Sequence, residues 1–313
     1  MAVQQERMKI RSSTRPNPKY FRSDRYLGNL LIAPAMLVIL VVMIVPLGYG
    51  LLLSLTDYQL GSQGIGNLVL LENYARLFQD HEFFRSLGIT LLFTVSVLFA
   101  ELAIGIVMAV LLMKVPFLLG RVFRTFFTVP LLISPIIVGL AWRYMYDPLY
   151  GLIYQGLGMF NLQSNFGGLG SVNWALFCVM VADIWQTTPF ILLVATSGLA
   201  AIPTDLYEAG RIDGASEFRL FFNITLPLLE KVIIVLSIIR GVDAFRVFDI
   251  IYALTGGGPA NSTQSLSIYI FKQGFTNYQM GYAMAISIIT MVILLAIFLP
   301  LIKRSNENTV SMY

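Results

Sequence analysis

The chain has little of what most chemistry needs. It carries one cysteine, Cys178, and one histidine, His81, among 313 residues. A single thiol excludes an intrachain disulfide, and with a single imidazole it leaves no cluster able to hold zinc. No H-E-x-x-H or G-x-S-x-G is present, so metalloprotease and serine-hydrolase chemistry find no residues. No G-x-x-x-x-G-K-S/T loop occurs either, so this polypeptide does not cradle the phosphates of ATP. Gly167-Gly168 and Gly256-Gly257-Gly258-Pro259 lack the lysine and read as turns. Charge is also scarce: Asp, Glu, Lys and Arg together make up 12% of the chain. A soluble domain carries about twice that share.

What fills the chain instead is apolar. Hydrophobic residues reach 57% and the mean hydropathy is +0.75, which defines an integral membrane protein. A helix crosses the hydrocarbon core with about 20 apolar residues. Six stretches meet that length: 27–55, 87–113, 125–146, 172–199, 228–253 and 279–302. The predicted fold is therefore all-α, with six transmembrane helices in one membrane domain spanning 27–302. A basic tail, 1–26, precedes it and a short tail, 303–313, follows. Prolines 34, 46, 130, 135 and 189 fall in or beside spans, where neighbouring helices can satisfy the carbonyls they free. The segment 147–171 is predicted to form a short interfacial helix and a flexible turn.

The net charge of +4 is unevenly placed, with seven of the basic residues in the first 26 positions. With the N-terminus inside, the segments 1–26, 114–124, 200–231 and 303–313 hold fifteen Lys and Arg. The outside segments hold four. The positive-inside rule then places both termini in the cytoplasm. The tail lacks the aromatic interleaving of a nucleic-acid arm, so no nucleic-acid partner is expected. Cys178 reads as a small core residue and His81 as a solvated one.

The stretch YEAGRIDGASEFRLFFNITLPLL (207–229) is charged and helix-forming, between two apolar runs. Its order is Glu208-Ala209-Gly210, three residues, Gly214, nine residues, then Ile224-Thr225-Leu226-Pro227. This resembles the EAA loop of permease subunits of prokaryotic binding-protein-dependent ABC importers, with Gly210 where alanine is usual. The predicted structure is helix, turn, helix, within a loop spanning 200–227. Asp205 and Glu208 stand in capping-box position, Gly214-Ala215-Ser216 makes the break, Ser216 caps the second helix, and Pro227 opens the fifth span. Gly210 is expected to loosen the first helix by about 1 kcal/mol relative to alanine. A solvated amphipathic loop is the plainer alternative. The ordered spacing and the cytoplasmic placement weigh against it.

The resemblance covers residues 27–303 and leans toward the sugar-importer branch through RGVDAFRVFDIIYALTGGGPANST (240–263), WRYMYDPLYGLI (142–153) and ENYARLF (72–78). It implies a MetI-like fold in a prokaryotic cell membrane and transport of a di- or oligosaccharide. Glu208, Ala209, Gly210, Arg211, Asp213, Gly214, Ala215, Ile224, Leu226 and Pro227 would dock the motor. The partners implied are a second permease, two ATP-binding subunits holding ATP and magnesium, and an extracytoplasmic binding protein. No catalytic residue, metal or cofactor is expected on this chain. A polyol or glycerol phosphate permease, or an ion-coupled secondary transporter, are the alternatives. The last would need paired midplane sites, often in inverted repeats, and no internal repeat is visible.

In the fifth span Arg240, Asp243, Arg246 and Asp249 recur every three residues with alternating sign. Each step of three on an α-helix drifts by about 60°, so all four cannot face one path. Two local pairs, Arg240–Asp243 and Arg246–Asp249, are expected. Asp243, Phe245, Arg246, Phe248, Asp249 and Tyr252 form the candidate substrate path, rings and hydrogen-bonding groups suiting sugar faces; packing and subunit-interface salt bridges are the alternative role for them. Glu101 and Asp183, lone acids in the second and fourth spans, are each expected to pair with an arginine on another helix or on the partner permease, with a proton relay as the alternative.

Overall fold

The computed structural model describes residues 18–162 and 166–310, and falls into two units, 1–53 and 54–313. Among the described residues the structure is helical, with one isolated bridge, Thr56 to Leu68. The predicted all-α architecture is the observed one. Much of the basic tail, 1–17, and the end of the other, 311–313, lie outside the described residues, as do 163–165 of the segment 147–171.

The first unit's described part belongs to α1, Pro18–Ser54, which starts well before residue 27. Pro34 and Pro46 lie inside it without interrupting it. Its residues from Leu30 to Tyr49 are exposed and almost uniformly apolar, as hydrocarbon contact requires.

The second unit begins with an irregular stretch and the short α2, Glu72–Gln79. Asp80 then caps α3, His81–Met113, accepting at Oδ1 from the Glu82 and Phe83 N–H groups at 3.0 and 3.4 Å. His81 is exposed in the first turn. Next come α4, Phe117–Thr128, a 3-10 turn, Val129–Leu132, and α5, Pro135–Met145. The third span, expected as one helix over 125–146, is thus two segments bent by 95°. Pro135, at the first position of α5, donates no N–H, and together with Pro130 it stops α4 from continuing. The short α6, Leu152–Met159, is the helix expected in the segment 147–171.

Helix α7, Ala175–Ala200, packs along α3. The approach is close because Gly105 has no side chain: a Cβ there would lie 2.7 Å from Ile191 Cβ. Small residues serve helix pairs in membranes in this way. Cys178 is buried among apolar residues of α7's core face, as expected.

After α7 come α8, Thr204–Ile212, and α9, Glu217–Leu220. The chain then widens into a π turn, Phe221–Thr225, where Leu226 N–H reaches the Phe221 carbonyl, and passes through α10, Leu226–Leu228. Helix α11, Glu230–Phe245, leaves this segment at 65°. Pro227 therefore precedes the bend, and the long helix opens at Glu230 instead. The fifth span breaks again at 246–248 before α12, Asp249–Leu254. A structured loop, α13 (Leu266–Phe271), a second π turn (Lys272–Thr276) and α14 (Met280–Val310) complete the chain. Among the described residues four helices are long and apolar enough to cross a membrane, and counting the two bent pairs brings the number to six.

Candidate functional site

Three places gather polar residues of this apolar chain. The first is the helical hairpin of α8 and α9. Helix α8 begins after Pro203 with no side-chain cap, and Asp205 lies inside the first turn, so the expected capping box does not form. The other end is closed by hydrogen bonds. Gly214 adopts φ +77°, its N–H reaches the Arg211 carbonyl at 3.0 Å, and the Ala215 N–H reaches the Gly210 carbonyl at 2.9 Å. This is a Schellman closure, and its left-handed residue favours glycine. Ser216 then caps α9, its hydroxyl accepting from the Arg219 N–H at 3.4 Å.

Gly210 has a packing role that the spacing did not reveal. A Cβ there would lie 2.5 Å from Leu220 Cδ2 and 3.4 Å from Ile224 Cδ1, so the glycine lets α8 lie against the following segment. Glu208, Ala209, Arg211, Asp213 and Gly214 are exposed, while Gly210, Ala215, Ile224 and Leu226 are half-buried and Pro227 is exposed. Ile212 is 86% exposed and Phe218 74%, which leaves an apolar tip on the hairpin. Glu217 ties the hairpin to the end of α3, accepting from Lys114 Nζ at 2.7 Å and Arg211 Nε at 3.2 Å. Hydrogen bonds from Lys114 and then Arg211 hold its carboxyl below the ordinary value. Lys114 and Glu217 are far apart in sequence, so no spacing pattern could have paired them. A pocket of about 290 Å³ separates the hairpin from the ends of α3 and α7.

The second place lies where α3, α7 and α11 meet. Arg240, 4% exposed, donates from Nε and Nη2 to both oxygens of Glu101 at 2.7 and 3.0 Å, from Nη2 to Asp183, and from Nη1 to Asp243 at 2.8 Å. Glu101 is fully buried. The Thr187 hydroxyl also donates to Glu101, at 2.5 Å. One guanidinium thus gathers the lone acids of two other helices. The need for an arginine at Glu101 and Asp183 was visible in the sequence. That both share the same one was not, because it depends on how three helices meet.

Above this cluster is an open cavity of about 290 Å³, lined by Asp183, Thr187, Asp243, Arg246, Phe248 and Asp249 among others. Four of the six expected path residues line it. The Asp243 side chain is 66% exposed despite its bond to Arg240. Tyr252 stacks on Phe248, with centroids 5.3 Å apart and planes at 16°. Phe245 is misplaced by the sequence reading: it is buried in the apolar core with Leu266, Tyr269 and Tyr282. The expected Arg246–Asp249 pair is also absent among the described ion pairs. Helix α11 ends at Phe245, so the helical spacing that would bring those two side chains together is interrupted at Arg246.

A third polar knot supports the other end of the bundle. Asp80 Oδ2 accepts from the Tyr282 hydroxyl at 2.5 Å and from the Tyr269 hydroxyl. Burial alone would push this carboxyl up, but the two hydroxyls and the capping N–H groups stabilise the anion and hold it below its ordinary value. Lys272, just after α13, reaches back to the loop before that helix: its Nζ donates to Gln264 Oε1 at 2.8 Å and Asn261 Oδ1 at 3.2 Å, and burial lowers its pKa.

Broken apolar helices around a charged cavity, with a helical hairpin projecting at one end, define a membrane transport subunit. The comparisons with known proteins make the class specific. Residues 101–308 match the family of binding-protein-dependent transport system inner membrane components, and the chain belongs to it. The trehalose/maltose transport system permease protein MalF of Thermococcus litoralis is 40% identical over 285 residues, 88% of this chain and 92% of its own. The sulfoquinovosyl glycerol transport system permease protein SmoG of Agrobacterium fabrum is 31% identical over 310 residues, 96% of this chain and 99% of its own. A chain from a bacterial ABC transporter involved in the import of the acidic polysaccharide alginate shares the fold. It superposes with a TM-score of 0.77 at 24% identity, over 92% of this chain and 98% of that one. The chain is thus a membrane-embedded permease subunit rather than an enzyme.

Proposed function

We propose that this chain forms half of the translocation path of an ATP-driven importer for a di- or oligosaccharide. In this reading both termini are cytoplasmic and an external binding protein delivers the sugar. A second permease supplies the other half of the path, and two separate subunits hold ATP and magnesium. The hairpin of α8 and α9 docks one of those subunits through Glu208, Ala209, Arg211, Asp213 and the exposed Ile212 and Phe218. Gly210, Gly214, Ala215, Ile224, Leu226 and Pro227 shape and seat it. Asp243, Arg246, Phe248, Asp249 and Tyr252 meet the solute.

The observation that carries the coupling role is the hairpin's geometry. Its backbone is closed by hydrogen bonds, yet it exposes two large apolar side chains beside charges. Such a rigid, half-apolar tip suits a protein groove. The support for a sugar is the naming of its relatives together with the mixed polar and aromatic cavity. The test is uptake by the complete complex in membranes. Glu208→Lys and Gly214→Trp should insert normally and abolish ATP-driven sugar uptake. Normal uptake in both would refute the coupling role. Asp243→Asn and Arg246→Gln should change uptake without loss of assembly.

A further inference from the structure

Family membership leaves the charge of the solute open, but the cavity between α3, α7 and α11 constrains it. Four carboxylates meet at or beneath it, from Glu101, Asp183, Asp243 and Asp249, against two guanidiniums, from Arg240 and Arg246. Fully ionised, four acids and two bases leave a balance of −2. A proton retained anywhere in the buried cluster would still leave −1. The field is not diluted by water on all sides, because apolar residues such as Ile133 and Ile250 share the lining. Low-dielectric walls focus such a field on the open space.

The donors tell the same story. Arg240 directs its Nε and both Nη groups at carboxylates. The single Thr187 hydroxyl proton lies within reach of both Glu101 and the Asp183 carbonyl. The Gln186 amide donates to the Ile133 carbonyl at 2.8 Å. Of the two guanidiniums that line the cavity, only that of Arg246 is outside the described ion pairs. A hydroxyl group would find two exposed carboxylates as acceptors and the Phe248–Tyr252 ring pair as a face. Arg240 fixes only Oδ2 of Asp243, so the other oxygen remains available to the solute.

We propose that this half of the path carries a negative field that selects uncharged, hydroxyl-rich solutes and rejects anionic ones such as sugar phosphates and uronates. The identity of the solute as a sugar rests on the function proposed above. The sign of the field rests on this structure alone.

The two are separable by experiment. In the complete complex bearing Cys178→Ser, a Phe248→Cys reporter is reacted with methanethiosulfonates carrying either a trimethylammonium or a sulfonate group. A Tyr252→Cys reporter provides a second position if the first disturbs folding. The ratio of cation to anion rates should exceed that of a small free thiol in solution by about tenfold or more. Adding Asp243→Asn and Asp249→Asn should bring it to within about threefold of the free thiol. A ratio equal to the free thiol's at both reporters would overturn the proposal. So would ATP-driven uptake of trehalose 6-phosphate as fast as trehalose. Intact rate ratios with no uptake of any sugar would leave the field standing and overturn the sugar assignment instead.

Discussion

Arg240 is where one substitution should cost most. Its guanidinium holds Glu101, Asp183 and Asp243, and two of those carboxylates are buried. Arg240→Leu keeps the apolar bulk but leaves Glu101 and Asp183 facing each other without a cation. Removing one partner of a buried ion pair costs about 3–5 kcal/mol, mostly the penalty of the charge left behind. Asp243 adds little, because its exposed carboxylate can be solvated from the cavity. On the scaling for folded domains the loss corresponds to a fall in melting temperature of roughly 5–10 °C. The assay is thermal unfolding of the detergent-solubilised complex, followed by intrinsic fluorescence. The control is the triple variant Arg240→Leu, Glu101→Gln, Asp183→Asn, which removes the stranded charges and should recover at least half of the loss. If the single variant melts with the wild type, or if the triple variant is no more stable than the single, the cluster is not held together as described.

Three other outcomes follow from the geometry. Gly214→Val should cost about 1–2 kcal/mol in the hairpin because of its left-handed backbone, while Gly214→Asn should retain most ATPase stimulation by loaded binding protein; equal activity of both would refute the backbone argument. Gly105→Val should separate α3 from α7 and lower the melting temperature measurably, because its Cβ would meet Ile191 at 2.7 Å. The folded-state pKa of Asp80 lies below its unfolded value near 3.8, so the stability it confers is full above that value and lost as pH falls through the lower, folded one. Asp80→Asn should therefore flatten the acid limb of the stability profile below about pH 4, and an unchanged limb would count against the Tyr269–Tyr282 clasp.

Much of this was legible in the chain because membranes impose simple rules. Apolar length located the spans, and the spacing from Glu208 to Pro227 located the hairpin. What escaped was set by breaks in the helices. The 3.6-residue period predicted an Arg246–Asp249 pair, which fails because α11 stops at Phe245. The interleaving of rings with charges suggested a path-facing Phe245, which packs instead with Leu266, Tyr269 and Tyr282. Pro130 and Pro135 were seen as kinks, but the 95° bend they accompany depends on the space available to α5 beside α12. Gly210 looked like a weakness in α8 until Leu220 was placed against it. The partnership of Arg240 with Glu101 and Asp183 joins residues 139 and 57 positions apart. Nothing local in the sequence chooses between one shared arginine and two separate ones.

The two π turns have a consequence for which changes the chain can tolerate. At Phe221–Thr225 and again at Lys272–Thr276 the backbone closes on the fifth residue rather than the fourth, so each holds one residue more than an α-turn would. Deleting that extra residue would let the segment relax to ordinary α geometry without leaving a gap. Five residues in the wider turn sweep about the same angle, roughly 400°, as four α-helical residues, so everything downstream would keep its facing. After the first π turn the deletion would therefore leave Arg240 directed at its buried acids, whereas the same deletion inside α11 would turn it away by about 100°. At these places the number of residues can change by one. The buried positions Thr225 and Gly274 are the tighter constraint.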